Sequence, residues 1–266
     1  MIRARYVELA GVRLAYAPRY PDTFLYFGAY DRGECDSLPE NAAPISIPED
    51  FWQRNLRGGM EPCAHSEYSL LTHFMSDELL LHDRVVIHGA ALRWKNLAWL
   101  ICAESGVGKS TQARFLRELR PGEFEIISGD RPILQFCRSE RGAEASKVPT
   151  SPVPEDTILV HPSPWNGKEN WFGGKTAPLA GIIYLQRGPE NRLYVPQSTE
   201  LAIPMYTKLL QSSADPERVK QAARMTTRLL EQSLLWQLQT HTVPDSTRLL
   251  LEAVFPADSA AGTESR

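Results

Sequence analysis

The residues with the clearest chemistry form one short glycine-containing stretch near the middle of the chain. From Ala103 to Ser110 the sequence reads Ala-Glu-Ser-Gly-Val-Gly-Lys-Ser, which fits the pattern of a phosphate-binding loop with alanine in place of the first glycine. Glycines let the backbone curl so that successive N–H groups point inward, and a following helix adds its positive N-terminal end. The stretch therefore predicts a site for a nucleoside triphosphate.

The predicted phosphate contacts all come from this loop and the start of the helix after it: Ser105, Gly106, Val107, Gly108, Lys109, Ser110 and Thr111. The Lys109 ammonium is expected to reach the outer phosphates, so it also counts among the predicted catalytic residues. The Ser110 hydroxyl is expected to ligate Mg²⁺.

Two further residues are candidates for proton transfer. Asp130 ends the apolar stretch Glu125–Asp130, and a carboxylate in this place holds Mg²⁺ or takes the proton of an attacking hydroxyl. Its alternative interpretation is a capping carboxylate at a turn. His88 precedes Gly89 upstream of the loop, and a histidine suits general acid or base work. The alternative for His88 is a buried, hydrogen-bonded side chain.

Two basic residues are secondary candidates. Arg131 follows Asp130 directly and is a charge clamp for phosphates, or else an arginine on a turn. Lys168 lies in a connection rich in tryptophan, lysine and turn formers, where it neutralises a transferring phosphoryl group or is simply solvated.

Composition excludes several other classes of protein. The chain has 266 residues, 42% of them hydrophobic, and a net charge of −3, which indicates a globular core and no general attraction to nucleic acid. Its four cysteines lie far apart without a Cys-x-x-Cys pair, so neither a zinc site nor a disulfide framework is indicated. With no leader-like start and no long apolar run, we expect a cytoplasmic protein that does not enter a membrane.

The elements that must position the loop follow from local patterns. A hairpin around Lys95-Asn96 brings a strand into the loop, and apolar residues spaced along Thr111 to Arg120 predict the helix after it. Further helices are predicted for Ser66 to His82, with Ser66 as N-cap, for Asp215–Glu231, and from Asp245 through Val254. Strands are predicted for Thr157–Val160, Pro178–Leu185 and Leu234–Leu238.

The chain divides into three parts on composition. Residues 1–60 alternate polar and apolar residues, as in Val7–Leu9 and Thr23–Phe27, and predict a small β-rich N-terminal subdomain with a surface loop at Ser37–Pro48. Residues 61–256 form the predicted nucleotide-binding domain, with a hairpin at Pro132–Val148 whose charged tip is Arg138–Lys147. Residues 257–266 are small and polar and predict a disordered tail.

Three features together resemble the C-terminal catalytic domain of HPr serine kinase/phosphorylase and its shorter relatives: His88-Gly89, the phosphate loop, and Ser128-Gly129-Asp130-Arg131. A weaker match runs from Pro164 to Arg192. The resemblance implies an α/β phosphate-loop kinase domain of the HPr kinase/PEP carboxykinase-like type, with a mixed central sheet and flanking helices. It also implies ATP and Mg²⁺ as cofactors and allows a homo-oligomer.

Two departures from that family shape the functional prediction. Gly129 stands where the family has the first of two acidic residues, and the glycine-rich signature of the reverse, phosphorolytic reaction is not recognisable. We therefore predict a kinase that transfers the γ-phosphoryl group of ATP to a hydroxyl, with serine in a protein or peptide as the favoured acceptor and no phosphorylase activity. The alternatives are a non-catalytic ATP- or GTP-binding module and a small-molecule kinase.

Overall fold

The computed structural model describes residues 4–35, 40–137, 156–165, 167, 171, 173–211 and 214–257. Three predictions fall wholly or mostly outside them: the charged tip Arg138–Lys147, the secondary candidate Lys168 and the tail 257–266. The described chain is mixed α/β, with strands in two sheets and helices packed on them.

The first sheet belongs to the N-terminal segment and has the strand order β3-β1-β2-β4. Its strands are β1 Arg5–Leu9, β2 Val12–Tyr16, β3 Asp31–Glu34 and β4 Ala43–Ile45. Ala10 and Gly11 join β1 to β2 with positive φ at both residues, the backbone that a tight hairpin turn requires. Strand β1 confirms the strand predicted at Val7–Leu9.

The second sheet has nine strands among the described residues, and it carries the phosphate loop. Its order is β5-β9-β10-β11-β7-β6-β8, with β13 beside β11 and β12 beside β13. Strand β7 runs parallel to β11, and β11 runs parallel to β13. The strands are β5 Arg84–Val86, β6 Gly89–Trp94, β7 Leu97–Ala103, β8 Phe124–Ser128, β9 Ile133–Phe136, β10 Ile158–His161, β11 Ala177–Arg187, β12 Arg192–Tyr194 and β13 Leu234–Thr240.

The α-helices among the described residues are α1 Glu49–Arg57, α2 Ala64–Leu81, α3 Lys109–Leu119, α4 Ser198–Tyr206, α5 Pro216–Glu231 and α6 Val243–Ala253. Helices α3 to α6 cover the two faces of the larger sheet, whereas Trp52 of α1 packs in the core of the N-terminal sheet. Leu100 and Cys102 of β7 pack toward α4 and α5, whereas Ile101 and Ala103 pack toward α3 and α6. Strand β7 is therefore buried on both faces, which explains its continuous apolar run.

Helix α2 joins the two sheets. Its Leu71, Met75 and Leu79 share a core with the N-terminal sheet, while Leu80 packs with the larger sheet. The predicted boundary at residue 60 falls between α1 and α2, and the division into domains there stays a prediction.

The strand predicted at Thr23–Phe27 is wrong, because Pro21–Tyr30 forms a 3₁₀ helix with a left-handed kink at Gly28. The cause is a contact distant in sequence: the buried carboxylate of Glu67 on α2 accepts hydrogen bonds from Arg19 N at 2.6 Å, Tyr20 N at 3.0 Å and Thr23 Oγ1 at 2.6 Å. These bonds satisfy backbone donors at the start of the turn, and no local pattern reveals them.

Smaller corrections concern caps and loops. Helix α2 begins after Cys63, so Ser66 is not its N-cap, and α6 begins after Thr242 instead of at Asp245. Strand β4 lies inside the segment predicted as a surface loop at Ser37–Pro48. The Lys95-Asn96 hairpin is confirmed, as are the helix after the loop and the long helix capped by Asp215, whose Oδ1 accepts from two backbone N–H groups.

Within the described ranges, every helix is too short or too polar to cross a bilayer.

Candidate functional site

The phosphate loop joins the end of β7 to the start of α3. Gly106 and Gly108 have φ angles of 76° and 115°, a left-handed backbone that side chains other than glycine rarely adopt. The Gln112 N–H donates to the Gly108 carbonyl at 2.8 Å and begins α3. Ser110 and Thr111 therefore lie in the first turn of a helix, whose exposed N–H groups favour an anion.

Lys109 lies folded over this loop. Its Nζ donates to the Ala103 carbonyl at 3.4 Å. The side chain therefore turns back from the end of the loop to its beginning. Burial lowers the pKa of Lys109, because the ammonium loses hydration, and the nearby Asp130 carboxylate opposes that shift. The charges of Lys109 and Asp130 therefore influence each other, although 21 positions separate the two residues in the sequence.

The structure brings His88 and Asp130 together beside the loop. His88 lies between β5 and β6, Asp130 follows β8, and their Nε2 and Oδ1 atoms are 3.3 Å apart. Burial by itself would raise the pKa of Asp130, but the hydrogen bond from His88 and the charges of Arg131 and Lys109 outweigh it. The pKa of Asp130 therefore lies below its usual value, and the group is a carboxylate at neutral pH.

Backbone hydrogen bonds hold this pair in place. The Gly89 N–H donates to the Asp130 carbonyl at 2.8 Å, and the His88 N–H donates to the Lys208 carbonyl at 2.7 Å. A Cβ on Gly89 would lie 3.0 Å from Cys102 Sγ and 3.1 Å from the Ile101 carbonyl. The glycine of the His-Gly pair thus lets β6 approach the strand that leads into the loop.

Three charged residues at the loop were not predicted as site residues from the sequence: Glu104, Arg187 and Lys208. Lys208 is 6% exposed, and its Nζ lies 2.5 Å from Glu104 Oε1. Arg187, at the end of β11, donates to the Gly106 carbonyl at 2.8 Å. Lys208 and Glu104 are 104 residues apart, so no motif joins them. Arg187 has a weak signal, because the ends of parallel strands such as β7 and β11 meet at one edge of a sheet.

Two cavities flank this arrangement. One of about 460 Å³ lies beside the loop and is lined by Glu104, Val107, Tyr184 and Arg187, together with residues of α4. Another of about 650 Å³ begins at Asp130 and Arg131 and extends to the aromatic residues of the 3₁₀ helix. Asp130 therefore borders the space toward the N-terminal sheet, whereas the phosphate loop borders the other space.

Of the two basic residues predicted as secondary candidates, the structure describes Arg131 but not Lys168. Arg131 lies next to Asp130, with its Nε 3.4 Å from Asp130 Oδ2, and it lines the larger cavity. Lys168 is outside the described residues. The connection that contains it begins at His161 and is predicted to be exposed, but its Trp165 is only 3% exposed and packs into the core shared with α2.

Among the described residues, no group of three or more His, Cys, Asp or Glu side chains forms a ready metal site. The Ser110 hydroxyl and the ionised Asp130 carboxylate nevertheless fit Mg²⁺. This ion takes oxygen ligands, usually one or two from the protein, with phosphates and water completing its shell.

Neither protein-family models nor curated proteins match the sequence. Among solved structures, the chain is similar to the HPr(Ser) kinase/phosphatase from Coxiella burnetii, with 10% identity and a TM-score of 0.30. The match covers 63% of this chain and 93% of that one. A similarity this weak says nothing about the function of this chain.

Proposed function

We propose that this protein is an ATP-dependent kinase that transfers the γ-phosphoryl group to a hydroxyl, with serine of a protein or peptide as the acceptor. The observation that carries the proposal is the His88–Asp130 pair, which lies beside the end of the strand that leads into a glycine-containing phosphate loop. Phosphoryl transfer needs little more than positioning, charge stabilisation and one base, and these residues supply them.

The phosphate loop is the proposed binding site of the triphosphate. The N–H groups from Ser105 to Thr111 contact the phosphate oxygens, and Lys109 leaves the Ala103 carbonyl to pair with the outer phosphates. The 460 Å³ cavity beside Glu104 and Val107 then receives the nucleoside. Arg187 braces this arrangement through its hydrogen bond to the Gly106 carbonyl.

Ser110 and Asp130 would hold Mg²⁺, which neutralises charge that develops on the phosphates. Asp130 also accepts the proton of the acceptor hydroxyl as its oxygen attacks the γ-phosphorus. The contact from His88 Nε2 fixes the orientation of this carboxylate, and Arg131 limits the movement of its other oxygen.

A second candidate is a nucleotide-binding module that transfers nothing, and Gly129 favours it. The resemblance to HPr kinases implies a carboxylate at this position, whereas here only the Gly129 backbone is used, donating to the Trp171 carbonyl at 3.1 Å. One carboxylate then has to serve both as metal ligand and as base.

Incubation with γ-labelled ATP, Mg²⁺ and serine-containing peptides separates the two candidates. A kinase moves label to the peptide, and Lys109→Ala abolishes this transfer while the control Lys220→Ala, an exposed lysine of α5, leaves it intact. Asp130→Asn is expected to bind nucleotide and transfer no label. Label found only on ATP or free phosphate supports the binding module, and transfer that survives Lys109→Ala contradicts the proposed site.

A further inference from the structure

The larger cavity is a groove lined mainly by aromatic rings. We define the aromatic groove by Tyr26, Phe27, Tyr30, Tyr68 and Trp165. The rings of Tyr26 and Tyr68 stack with centroids 5.2 Å apart, and Phe27 meets Tyr68 edge-on at 5.1 Å. Such a wall offers ring faces to apolar and aromatic groups.

Hydrogen bonds attach the walls of the groove to the candidate active site. The Tyr68 hydroxyl donates to the Pro164 carbonyl at 3.0 Å, and the Ser163 hydroxyl donates to the Arg131 carbonyl at 2.6 Å. These bonds attach the groove to the backbone of Arg131, the neighbour of Asp130, and both residues line the same cavity. Its walls come from the 3₁₀ helix, α2 and the chain after β10, so it exists only where the N-terminal segment meets the larger sheet.

The outer rim of the groove is apolar and open to solvent. Leu25 is 62% exposed and Tyr26 is 42% exposed, and both line the same cavity as Asp130. Exposed apolar and aromatic side chains that continue the lining of an aromatic groove are typical of surfaces that bind a macromolecular partner. A small acceptor placed against Asp130 would leave this rim uncovered.

We propose that the aromatic groove binds a polypeptide segment of the acceptor, in which an apolar or aromatic side chain neighbours the serine that is phosphorylated. This inference rests on the proposed kinase activity and names its substrate class. The neighbouring side chain packs on the rings at Tyr26 and Tyr68, and the serine hydroxyl extends to Asp130. The N-terminal segment thus serves as the acceptor-binding part of the enzyme.

The proposed phosphoryl transfer takes place at the end of the groove that Asp130 lines. The serine oxygen forms a bond to the γ-phosphorus of the nucleoside triphosphate, and the bond from that phosphorus to the bridging oxygen breaks. The electron pair leaves with the nucleoside diphosphate, and the hydroxyl proton passes to the Asp130 carboxylate and then to solvent.

Two short peptides test the proposal, one with its serine between phenylalanines and one with its serine between glycines. Burying one phenylalanine ring in the groove is expected to lower the KM of the first peptide about tenfold relative to the second. Leu25→Ser and Tyr26→Ser are each expected to raise the KM of the phenylalanine peptide several-fold. Leu234→Ser is the matched control, because Leu234 is 61% exposed and lies on β13 away from the groove.

A second measurement keeps the groove separate from the chemistry. Fluorescence anisotropy follows binding of a labelled phenylalanine peptide that carries alanine in place of serine. Weaker binding to Leu25→Ser than to Leu234→Ser supports the groove even when no peptide is phosphorylated, and the absence of transfer then counts against the kinase alone. Thermal unfolding confirms that each variant is folded.

Two results overturn the inference. One is equal KM and equal binding for the two peptides, with no effect of Leu25→Ser or Tyr26→Ser. The other is phosphorylation of a small aromatic alcohol, such as 2-phenylethanol, by an enzyme that phosphorylates and binds neither peptide. That result assigns the groove to a small-molecule acceptor.

Discussion

Replacing Gly89 by alanine is expected to destabilise the strand pair that leads into the phosphate loop. The new Cβ would lie 3.0 Å from Cys102 Sγ and 3.1 Å from the Ile101 carbonyl. Both neighbours belong to β7 and are fully buried, so they have little room to move. Overpacking of this kind costs about 2 kcal/mol of unfolding free energy, which for a chain of this size lowers Tm by about 4–8 °C.

A double-mutant cycle with Cys102→Ala isolates this contact. Cys102→Ala alone costs about 1 kcal/mol, because it removes a buried sulfur atom. In the double variant the added Cβ occupies the space that Sγ leaves. Its loss of unfolding free energy should therefore be about 1 kcal/mol smaller than the sum of the losses in the two single variants. The remaining overlap with the Ile101 carbonyl keeps the compensation partial.

Urea unfolding of the four proteins measures the coupling. Cys35→Ala is the matched control, because Cys35 is a half-buried thiol that contacts the Ala4 carbonyl beside the N-terminal sheet; its effect should add to that of Gly89→Ala. Unfolding of Gly89→Ala at the same urea concentration as the parent protein would show that β7 accepts the added Cβ without cost. Strict additivity with Cys102→Ala would show that the Cβ does not meet the Cys102 sulfur.

Two further predictions concern charge. Lys208→Met should weaken equilibrium binding of a fluorescent ATP analogue about tenfold, because the Glu104 carboxylate then repels the phosphates, and adding Glu104→Gln should restore most of the affinity; unchanged affinity in Lys208→Met would contradict this. Burial lowers the pKa of His161 to about 4, with the Arg84 charge adding to the effect, whereas the unfolded value is about 6.5. Protonation of His161 therefore favours the unfolded chain. The free energy of unfolding has its full value above about pH 6.5 and falls as the pH drops toward 4. His161→Gln should reduce the difference in unfolding free energy between pH 7 and pH 5 by about 2 kcal/mol. Urea unfolding at the two pH values measures this difference, and the same difference in the variant and the parent would show that His161 is not its cause.

Local signals predicted the elements that carry the phosphate loop. The hairpin at Lys95-Asn96 has positive φ at both turn residues, a conformation that asparagine favours. The helix that begins at Pro216 is capped by Asp215, as its sequence indicates. These elements were predictable because residues within a few positions of one another determine turns and caps.

The 3₁₀ helix shows where local reasoning fails. The alternation at Thr23–Phe27 predicts a strand, yet the buried Glu67 carboxylate binds the turn that begins this segment. A carboxylate that accepts three hydrogen bonds in a buried position contributes more than the small preference of one segment for a strand. The partner lies 44 to 48 residues away, so its effect is invisible in the sequence of the segment itself.

Residue type and short spacing were enough to predict the phosphate loop, the strand before it and the helix after it. Three contacts depend instead on the tertiary structure: His88 lies 3.3 Å from Asp130, Lys208 pairs with Glu104, and an aromatic groove shares its lining with Asp130. These contacts join strand ends and helix ends that are distant along the chain. Sheet order and helix packing bring such ends together, and neither can be deduced from the spacing of a few residues.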